Sequence, residues 1–323
     1  MKKIHILTTG GTIAMTEDDR GHVQPVTNQN IDSVFPSLRK YAEVTMEEVF
    51  NLPSPHLTFP HLERLLSRVA QLMEEPDTDG IVITHGTDTL EETAYFLDLQ
   101  LPPVKPVIVT GAMRSSNEIG SDGPLNLINS VRTAVCDDST GQGVLVVFND
   151  EIHGARYVTK THTSSVATFQ SPQIGPLGTL DKRSIQFRYS ARKHENYGIQ
   201  SLSQFSVGLV KMAIDVDSSL IDFMVDKGVS GLVIETLGQG NVPPKAVPGI
   251  KRATAQGIPV VLVSRCFNGM VQDVYGYEGG GKHLRELGAI FSNGLNGQKA
   301  RIKLLVLLAN GLPPDEIRSA FEN

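Results

Sequence analysis

Short apolar runs, each followed at once by glycine or a polar residue, recur through the first half of the chain and constrain its fold most. They lie at 4–7, 81–83, 106–112 and 143–150. Amphipathic stretches that predict helices lie between them, as at 60–73, where the leucines fall on one helical face. This alternation is typical of a parallel, doubly wound sheet.

The turns that follow these runs should converge, because parallel strands end at the same edge of a sheet. Open α/β sheets bind their ligands at that edge. We therefore expect one crevice, lined by residues of the first three turns: Thr12, Thr87, Asp88 and Ala112.

The first turn, TTGGTIA at 8–14, delivers Thr12 directly after Gly10 and Gly11. Two glycines allow a sharp turn and the close approach of another group. The Thr12 hydroxyl is either a nucleophile or a cap for the next segment, and the motif alone favours the cap. The turn lacks the third glycine of a dinucleotide fingerprint and the lysine of a P-loop, which argues against phosphate binding.

A polar stretch follows the first turn at 15–30 and predicts an exposed loop. Such a loop is either a lid over an active site or a plain surface connection. Further on, Ser54 stands between two prolines, which predicts an extended backbone.

The second turn, His85-Gly86-Thr87-Asp88, leads into a predicted helix. Thr89 matches an N-cap, and Glu92 lies at the spacing of a capping box. Asp88 sits beside the helix start, where the helix dipole favours a carboxylate.

After residue 150 the regular alternation loosens. Residues 156–169 are rich in threonine and β-branched residues and predict an extended hairpin that carries Lys160. A lysine in such a segment is more often solvated or paired at the surface than catalytic. The polar, aperiodic stretch that follows Arg188 predicts a link between domains, and a second α/β unit follows it. We predict an N-terminal α/β domain over 1–190, a linker over 191–207 and a C-terminal α/β domain over 208–323.

Composition excludes several classes of protein. The chain of 323 residues has 29 Lys and Arg against 35 Asp and Glu, a net charge of −6, which argues against a nucleic-acid partner. Cys136 and Cys266 are too few and too far apart for a disulfide framework or a zinc site, and we expect two buried free thiols. The start lacks the apolar stretch of a signal peptide, and no run reaches membrane-spanning length. We expect a soluble cytoplasmic protein with no membrane partner.

Two segments resemble the signature segments of bacterial-type L-asparaginases: TTGGTIA at 8–14 and THGTDTLEETAYFLDL at 84–99. The resemblance spans nearly the whole chain. Further matches occur in that family's order, at VTGAMR (109–114), SDGPLNL (121–127), VTKTHT (158–163), GPLG (175–178), ARKH (191–194) and QKAR (298–301).

This resemblance implies two α/β domains, a flavodoxin-like N-terminal one with a mostly parallel sheet and a smaller Rossmann-like C-terminal one. It implies a homotetramer built from intimate dimers, which needs no cofactor and no metal. The reaction it implies is hydrolysis of L-asparagine to L-aspartate and ammonia, and some family members also accept glutamine.

The resemblance also implies roles for single residues. Thr12 would be the nucleophile that forms an acyl-enzyme. Thr87, Asp88 and Lys160 would form the second catalytic cluster, in which a desolvated lysine moves protons.

Substrate recognition follows from the same resemblance. Asp88 would hold the amino group of the substrate and Ser54 its carboxylate, while Asn241 and Glu278 would reach in from the partner subunit. Backbone amides in the turns near Gly11 or Ala112 could stabilise the developing oxyanion.

The chain departs from the family pattern in two places. The family usually has a tyrosine in the loop after the first motif, and no tyrosine occurs between Thr12 and Tyr41. His22 lies nearest that place, either as a base that titrates near neutrality or as an ordinary loop residue. The glutamine that commonly follows the substrate-binding serine is Pro55 here. These changes bear on efficiency and on the preference between asparagine and glutamine.

Two other functions fit parts of the pattern. An asparaginase-like subunit of a transfer-RNA-dependent amidotransferase shares these motifs, but carries an additional N-terminal domain for which we expect no room ahead of Thr8. An amino-acid binding protein on the same scaffold would not need Lys160. Ammonia release from asparagine by the purified protein separates these hypotheses.

Overall fold

The computed structural model describes residues 1–11, 13, 15–17, 23–25, 34–190 and 194–323, with only the backbone at 15–17 and 23–25. Within this described part the chain folds into two compact units, Met1–Ile199 and Gln200–Asn323. We describe each unit by itself.

The first unit is built on a large twisted sheet. Its described strands are β1 Lys3–Thr8, β2 Met15–Glu17, β3 Val23–Pro25, β4 Glu43–Glu48, β5 Gly80–Thr84, β6 Val107–Thr110, β7 Val144–Phe148, β8 Glu151–Gly154, β9 Thr159–Lys160, β10 Phe169–Gln170, β11 Gly178–Leu180 and β12 Ile185–Phe187. Among them, eight strands form the sheet in the order β12-β11-β8-β7-β6-β5-β1-β4.

Strands β4, β1, β5, β6 and β7 are parallel, whereas β8, β11 and β12 are antiparallel. Numbered along the chain, the parallel strands have the order 2-1-3-4-5, which is that of flavodoxin-like folds. The sequence prediction of a flavodoxin-like, mostly parallel sheet is confirmed. β5, β6 and β7 are buried along their whole length, as expected of strands covered on both faces.

Helices cover the sheet and supply the crossovers between its parallel strands. In the described part of the first unit they are α1 Phe35–Leu38, α2 Phe59–Glu74, α3 Leu90–Asp98 and α4 Gly123–Val135. α2 buries the apolar face that its leucines predict. Its capping box joins Thr58 and His61, with the Thr58 hydroxyl 2.8 Å from His61 Nδ1.

Three local predictions for this unit are wrong. The capping box at Thr89 does not form: Thr89 is the N-cap of α3, but its hydroxyl donates to the carbonyl of Ser54 at 3.2 Å. Ser54 is not extended, because it begins a 3₁₀ turn, Ser54–His56, that bonds back to Pro53. The polar stretch 15–30 is not all loop, because β2 and β3 pair there as antiparallel strands.

Residues 194–199 belong to the first unit and pack on the rest of it. His194 Nε2 lies 2.9 Å from the carbonyl of Leu101, and the Tyr197 N–H donates to the carbonyl of Leu99. Asp98 is half-buried nearby: its Oδ1 accepts the Val144 N–H at 2.7 Å and lies 3.5 Å from His194 Nδ1. Burial raises the pKa of Asp98 to about 6.

The second unit is a smaller α/β fold. Its strands β13 Val207–Lys211, β14 Gly231–Thr236, β15 Val260–Ser264 and β16 Ile290–Phe291 pair in chain order and are all parallel in the fully described range 200–323. Its helices are α5 Ser219–Asp226, α6 Val247–Ala255, α7 Gly281–Glu286, α8 Gly297–Ala309 and α9 Pro314–Glu322. The predicted Rossmann-like α/β character of this unit is confirmed.

Two further findings bear on composition. Cys136 and Cys266 are free thiols, but Cys136 is half-buried and Cys266 exposed, so the prediction that both are buried is wrong. Among the described residues, no helix has the length and apolar character needed to cross a membrane.

The core of the first unit yields a prediction of stability. Leu145 of β7 is fully buried in the apolar cluster beneath α4. Leu145→Ala should lower the free energy of unfolding by about 2–5 kcal/mol, because it removes buried methyl groups and leaves a cavity. Leu125→Ala, at a position 52% exposed on α4, is the matched control and should change it by less than about 0.5 kcal/mol. Equal losses in urea unfolding would contradict this assignment of the core.

Candidate active site

The first two turns meet in backbone contact at the carboxyl ends of β1 and β5. Thr9 donates both its N–H, at 3.1 Å, and its hydroxyl, at 2.9 Å, to the carbonyl of Thr84. Gly11 follows with a φ of +86°, and a Cβ there would lie 2.5 Å from the Cα of Gly86. Only glycine fits such an approach. This point lies where the strand order reverses, the usual place for a ligand in such sheets.

Ser54 packs directly on the second turn. A Cβ on Gly86 would lie 2.8 Å from the Ser54 Oγ, so the serine side chain rests on the glycine. The segment leading to Ser54 is tied to the first turn, because the Leu52 N–H donates to the carbonyl of Thr9 at 3.1 Å. Thr89 holds the Ser54 carbonyl from the other side. Ser54 is therefore fixed beside both turns.

Lys160 reaches the second turn from a distant part of the chain. Its Nζ donates to Thr87 Oγ1 at 2.9 Å and to Asp88 Oδ1 at 2.7 Å. The lysine side chain is only 16% exposed, whereas that of Asp88 is 61% exposed. The predicted cluster of Thr87, Asp88 and Lys160 thus meets in space, with a shielded cation and a carboxylate open to solvent.

The hairpin that carries Lys160 has the expected form. β9 pairs antiparallel with β10, and Phe169 lies opposite Lys160. The Phe169 ring packs on Phe148 at the end of β7, with ring centroids 4.5 Å apart. This aromatic contact joins the hairpin to the central sheet.

Glu91, in the first turn of α3, contacts the same hairpin and was missed by sequence reasoning. Its Oε1 accepts the Thr159 hydroxyl at 3.0 Å and the Lys160 N–H at 3.2 Å. The residue is 5% exposed. The sequence marks its neighbour Glu92 through the capping-box spacing, whereas the hydrogen-bond partners of Glu91 lie about seventy residues away in sequence.

His85 lies fully buried beneath the second turn and was also not singled out in the sequence. Its Nδ1 is 2.7 Å from the Gly86 carbonyl, and its Nε2 is 2.9 Å from the Thr93 hydroxyl. A carbonyl only accepts, so Nδ1 carries the proton and, in the neutral ring, Nε2 accepts from Thr93. Burial lowers the pKa of His85 to about 4, against the opposing effect of the Gly86 carbonyl. The ring is therefore neutral at pH 7 and orients the Gly86 peptide.

The third turn is held by a carboxylate and an amide. Asp122 accepts the N–H groups of Met113 and Arg114 at 3.0–3.1 Å. The Asn126 side chain donates to the carbonyl of Gly111 at 3.1 Å. Ala112, between these anchors, is fully buried at the carboxyl end of β6. The third turn is thus tied to Asp122 and Asn126, at the N-terminal end of α4.

Comparison with known proteins places this arrangement in a family. A family model described as "Asparaginase, N-terminal" matches residues 3–193, and one described as "Glutaminase/Asparaginase C-terminal domain" matches residues 206–321. The chain belongs to the asparaginase family. The resemblance inferred from the sequence motifs is confirmed.

Individual relatives agree with this assignment to the asparaginases. The chain is 37% identical to an L-asparaginase of Bacillus licheniformis, over 96% of each chain. It is 39% identical to a probable L-asparaginase of Deinococcus radiodurans, over 99% of this chain and 97% of the relative. The crystal structure of a probable cytoplasmic L-asparaginase from Campylobacter jejuni matches with a TM-score of 0.89 at 33% identity, covering 100% of both chains.

Four residues that the asparaginase resemblance singles out lie outside the described part of the first unit. Thr12 and His22 lie outside the described residues. Asn241 and Glu278 lie in the second unit, in two loops joined by a hydrogen bond from the Val242 N–H to the Gly279 carbonyl at 2.8 Å. Glu278 is exposed, and Asn241 Oδ1 is buried with no hydrogen-bond partner among the described residues.

The buried histidine gives a prediction of pH dependence. Below pH 6.5 the unfolded chain binds a proton at His85, whereas the folded chain does not until about pH 4. The free energy of unfolding therefore falls by up to about 3 kcal/mol as the pH drops from 6.5 to about 4. His85→Gln lacks this loss, so its free energy of unfolding should fall by about 3 kcal/mol less between pH 7 and 4.

Urea unfolding of both proteins at several pH values measures the difference. Asp98 and the other titrating groups are common to both proteins and cancel. If the free energy of unfolding changes equally with pH in the two proteins, His85 is not held neutral in the folded state.

Proposed function

We propose that this protein is an L-asparaginase, which hydrolyses L-asparagine to L-aspartate and ammonia, with L-glutamine as a slower second substrate. The observation that supports this best is the contact of Lys160 Nζ with both Thr87 Oγ1 and Asp88 Oδ1. A binding protein would need the carboxylate for an amino group but no shielded lysine beside a threonine. The family and its L-asparaginase relatives support the same reaction.

Hydrolysis of a primary amide needs an activated hydroxyl, a proton donor for the leaving nitrogen and donors for the oxyanion. We propose that Thr12, which follows Gly11 in the sequence, attacks the amide carbon to form an acyl-enzyme. Its hydroxyl proton passes to the departing ammonia. A water molecule then attacks the ester, giving aspartate and restoring the threonine.

The second cluster would manage these protons. Lys160 donates to Thr87 Oγ1, so the Thr87 hydroxyl keeps its own proton for donation to another acceptor. The positive charge of the ammonium favours an anionic oxygen near Thr87 in either half of the reaction. A residue that acts in this way contributes mainly to the transition state.

The substrate's own charges match the remaining groups. Asp88 is 61% exposed even while paired with Lys160, so its carboxylate can also hold the ammonium group of the amino acid. Ser54, fixed on Gly86, would donate to the substrate carboxylate. Ala112 would border the amide end, and the backbone N–H groups near it or near Gly11 would bind the oxyanion.

We further propose a cytoplasmic homotetramer built from intimate dimers, without a cofactor. In this assembly Asn241 and Glu278 of the partner subunit would complete each site. The two loops that carry them are bonded to each other within the second unit, so they would act together. We also propose an N-terminal domain over 1–190 and a C-terminal domain over 208–323, joined by the linker 191–207.

The reaction itself gives the first test. Wild-type protein should release ammonia from L-asparagine, whereas Thr12→Ala and Thr87→Ala should each lose most of this activity, by about 10³-fold or more, with unchanged circular dichroism. Ser164→Ala, at an exposed position in the tip of the hairpin, is the control and should keep full turnover. Wild type that binds asparagine without releasing ammonia would favour the binding protein. Near-normal turnover in Thr12→Ala would remove it as the nucleophile.

Shared sites give a second test, by complementation. Thr12→Ala and Glu278→Ala subunits should each be nearly inactive alone. In a mixed dimer one site carries both lesions and the other carries none, so activity should return. If each chain builds its own site, every site in the mixture carries a lesion and no activity returns.

A further inference from the structure

Lys160 is held at both ends by one short stretch of chain. Its Nζ bonds to Thr87 and Asp88, just before α3, and its backbone N–H bonds to Glu91, in the first turn of α3. The start of this helix therefore contacts both the reactive end of the lysine and the backbone that carries it.

The backbone of Lys160 belongs to a short pair of strands. β9 is two residues long and pairs with the equally short β10. So short a pair is marginal by itself. The Glu91 contacts extend this support on the other side of the strand, through the Thr159 hydroxyl at 3.0 Å and the Lys160 N–H at 3.2 Å.

The chemistry of Glu91 suits an anchor. The residue is 5% exposed and sits at the second position of α3, where the N-terminal end of the helix dipole stabilises a carboxylate. Its oxygen takes hydrogen bonds from neighbouring donors on one strand, which fixes the strand along its length. A lysine side chain has many rotamers, so a fixed backbone is needed to aim its ammonium.

We propose that Glu91 is a positioning residue for the reaction, which aligns Lys160 with Thr87 and Asp88 by holding the backbone of residues 159 and 160. This inference rests on the proposed function, because it assigns a task to Lys160 in hydrolysis. The contacts that assign this role are the hydrogen bonds that Glu91 Oε1 accepts from the Thr159 hydroxyl and the Lys160 N–H.

The kinetic test compares Glu91→Ala and Glu91→Gln with Glu92→Ala, the neighbouring glutamate. Glu91→Ala should lower kcat for L-asparagine by about 10–100-fold and change KM by less than about threefold, since a misplacement of about 1 Å carries such a cost. Glu91→Gln keeps an acceptor oxygen and should retain kcat within about fivefold. Glu92→Ala should match the wild type.

A merely structural role would give a different pattern. It would lower the amount of folded protein while leaving kcat per active site, measured by bound aspartate, unchanged. If Glu91→Ala does not fold, Thr159→Val decides, because it removes one donor and keeps a β-branched residue. Its kcat should fall by about 3–10-fold. Wild-type kcat per site in Thr159→Val, or in folded Glu91→Ala, overturns the proposal.

A crystal structure of Glu91→Ala separates this inference from the proposed function. Lys160 Nζ should move beyond hydrogen-bond distance of Thr87 Oγ1. This readout needs no activity, so a wild-type protein that does not hydrolyse asparagine would contradict the proposed function alone. An unmoved ammonium would contradict the role of Glu91 alone.

Discussion

The site in the first unit depends on one interaction, the contact of the Lys160 ammonium group with Thr87 and Asp88. The two segments it joins lie more than seventy residues apart in sequence. The hairpin that carries Lys160 also contacts Phe148 through Phe169, and Glu91 through the Lys160 N–H. Because Asp88 is largely exposed, this ion pair adds little to stability. Its importance is that it places a cation beside a threonine hydroxyl.

The backbone around that hydroxyl is equally constrained. Gly11 and Gly86 bring two strand ends closer than any side chain would allow, and Ser54 rests on the second of them. His85 holds the Gly86 peptide from below as a neutral ring. The first two turns are thus fixed against each other by main-chain groups and small side chains. Such rigidity also favours reaction, since donors are in place before charge develops.

Much of this could be predicted from the sequence. Apolar runs ending in glycine predicted the parallel sheet and the meeting of its turns at one edge, since periodicity and glycine report local backbone form. Spacing could not predict that Lys160 meets Thr87: residue statistics favoured a surface lysine, and only the family resemblance indicated otherwise. The contacts of Glu91 and His85 could not be predicted, because their hydrogen-bond partners are backbone groups and hydroxyls that no sequence motif marks. The capping box at Thr89 failed because Ser54, distant in sequence, competes for its hydroxyl.

The central claim is that the lysine takes part in the chemistry, and one variant tests it directly. Lys160→Met keeps the length and apolar stem of the side chain but removes the ammonium. Its kcat for L-asparagine and its Kd for L-aspartate should be measured on the same preparation. We expect kcat to fall by about 10²-fold or more while aspartate binding weakens only a few-fold, because proton handling acts in the transition state. An unchanged kcat with clearly weaker aspartate binding would contradict the account and make Lys160 a substrate contact.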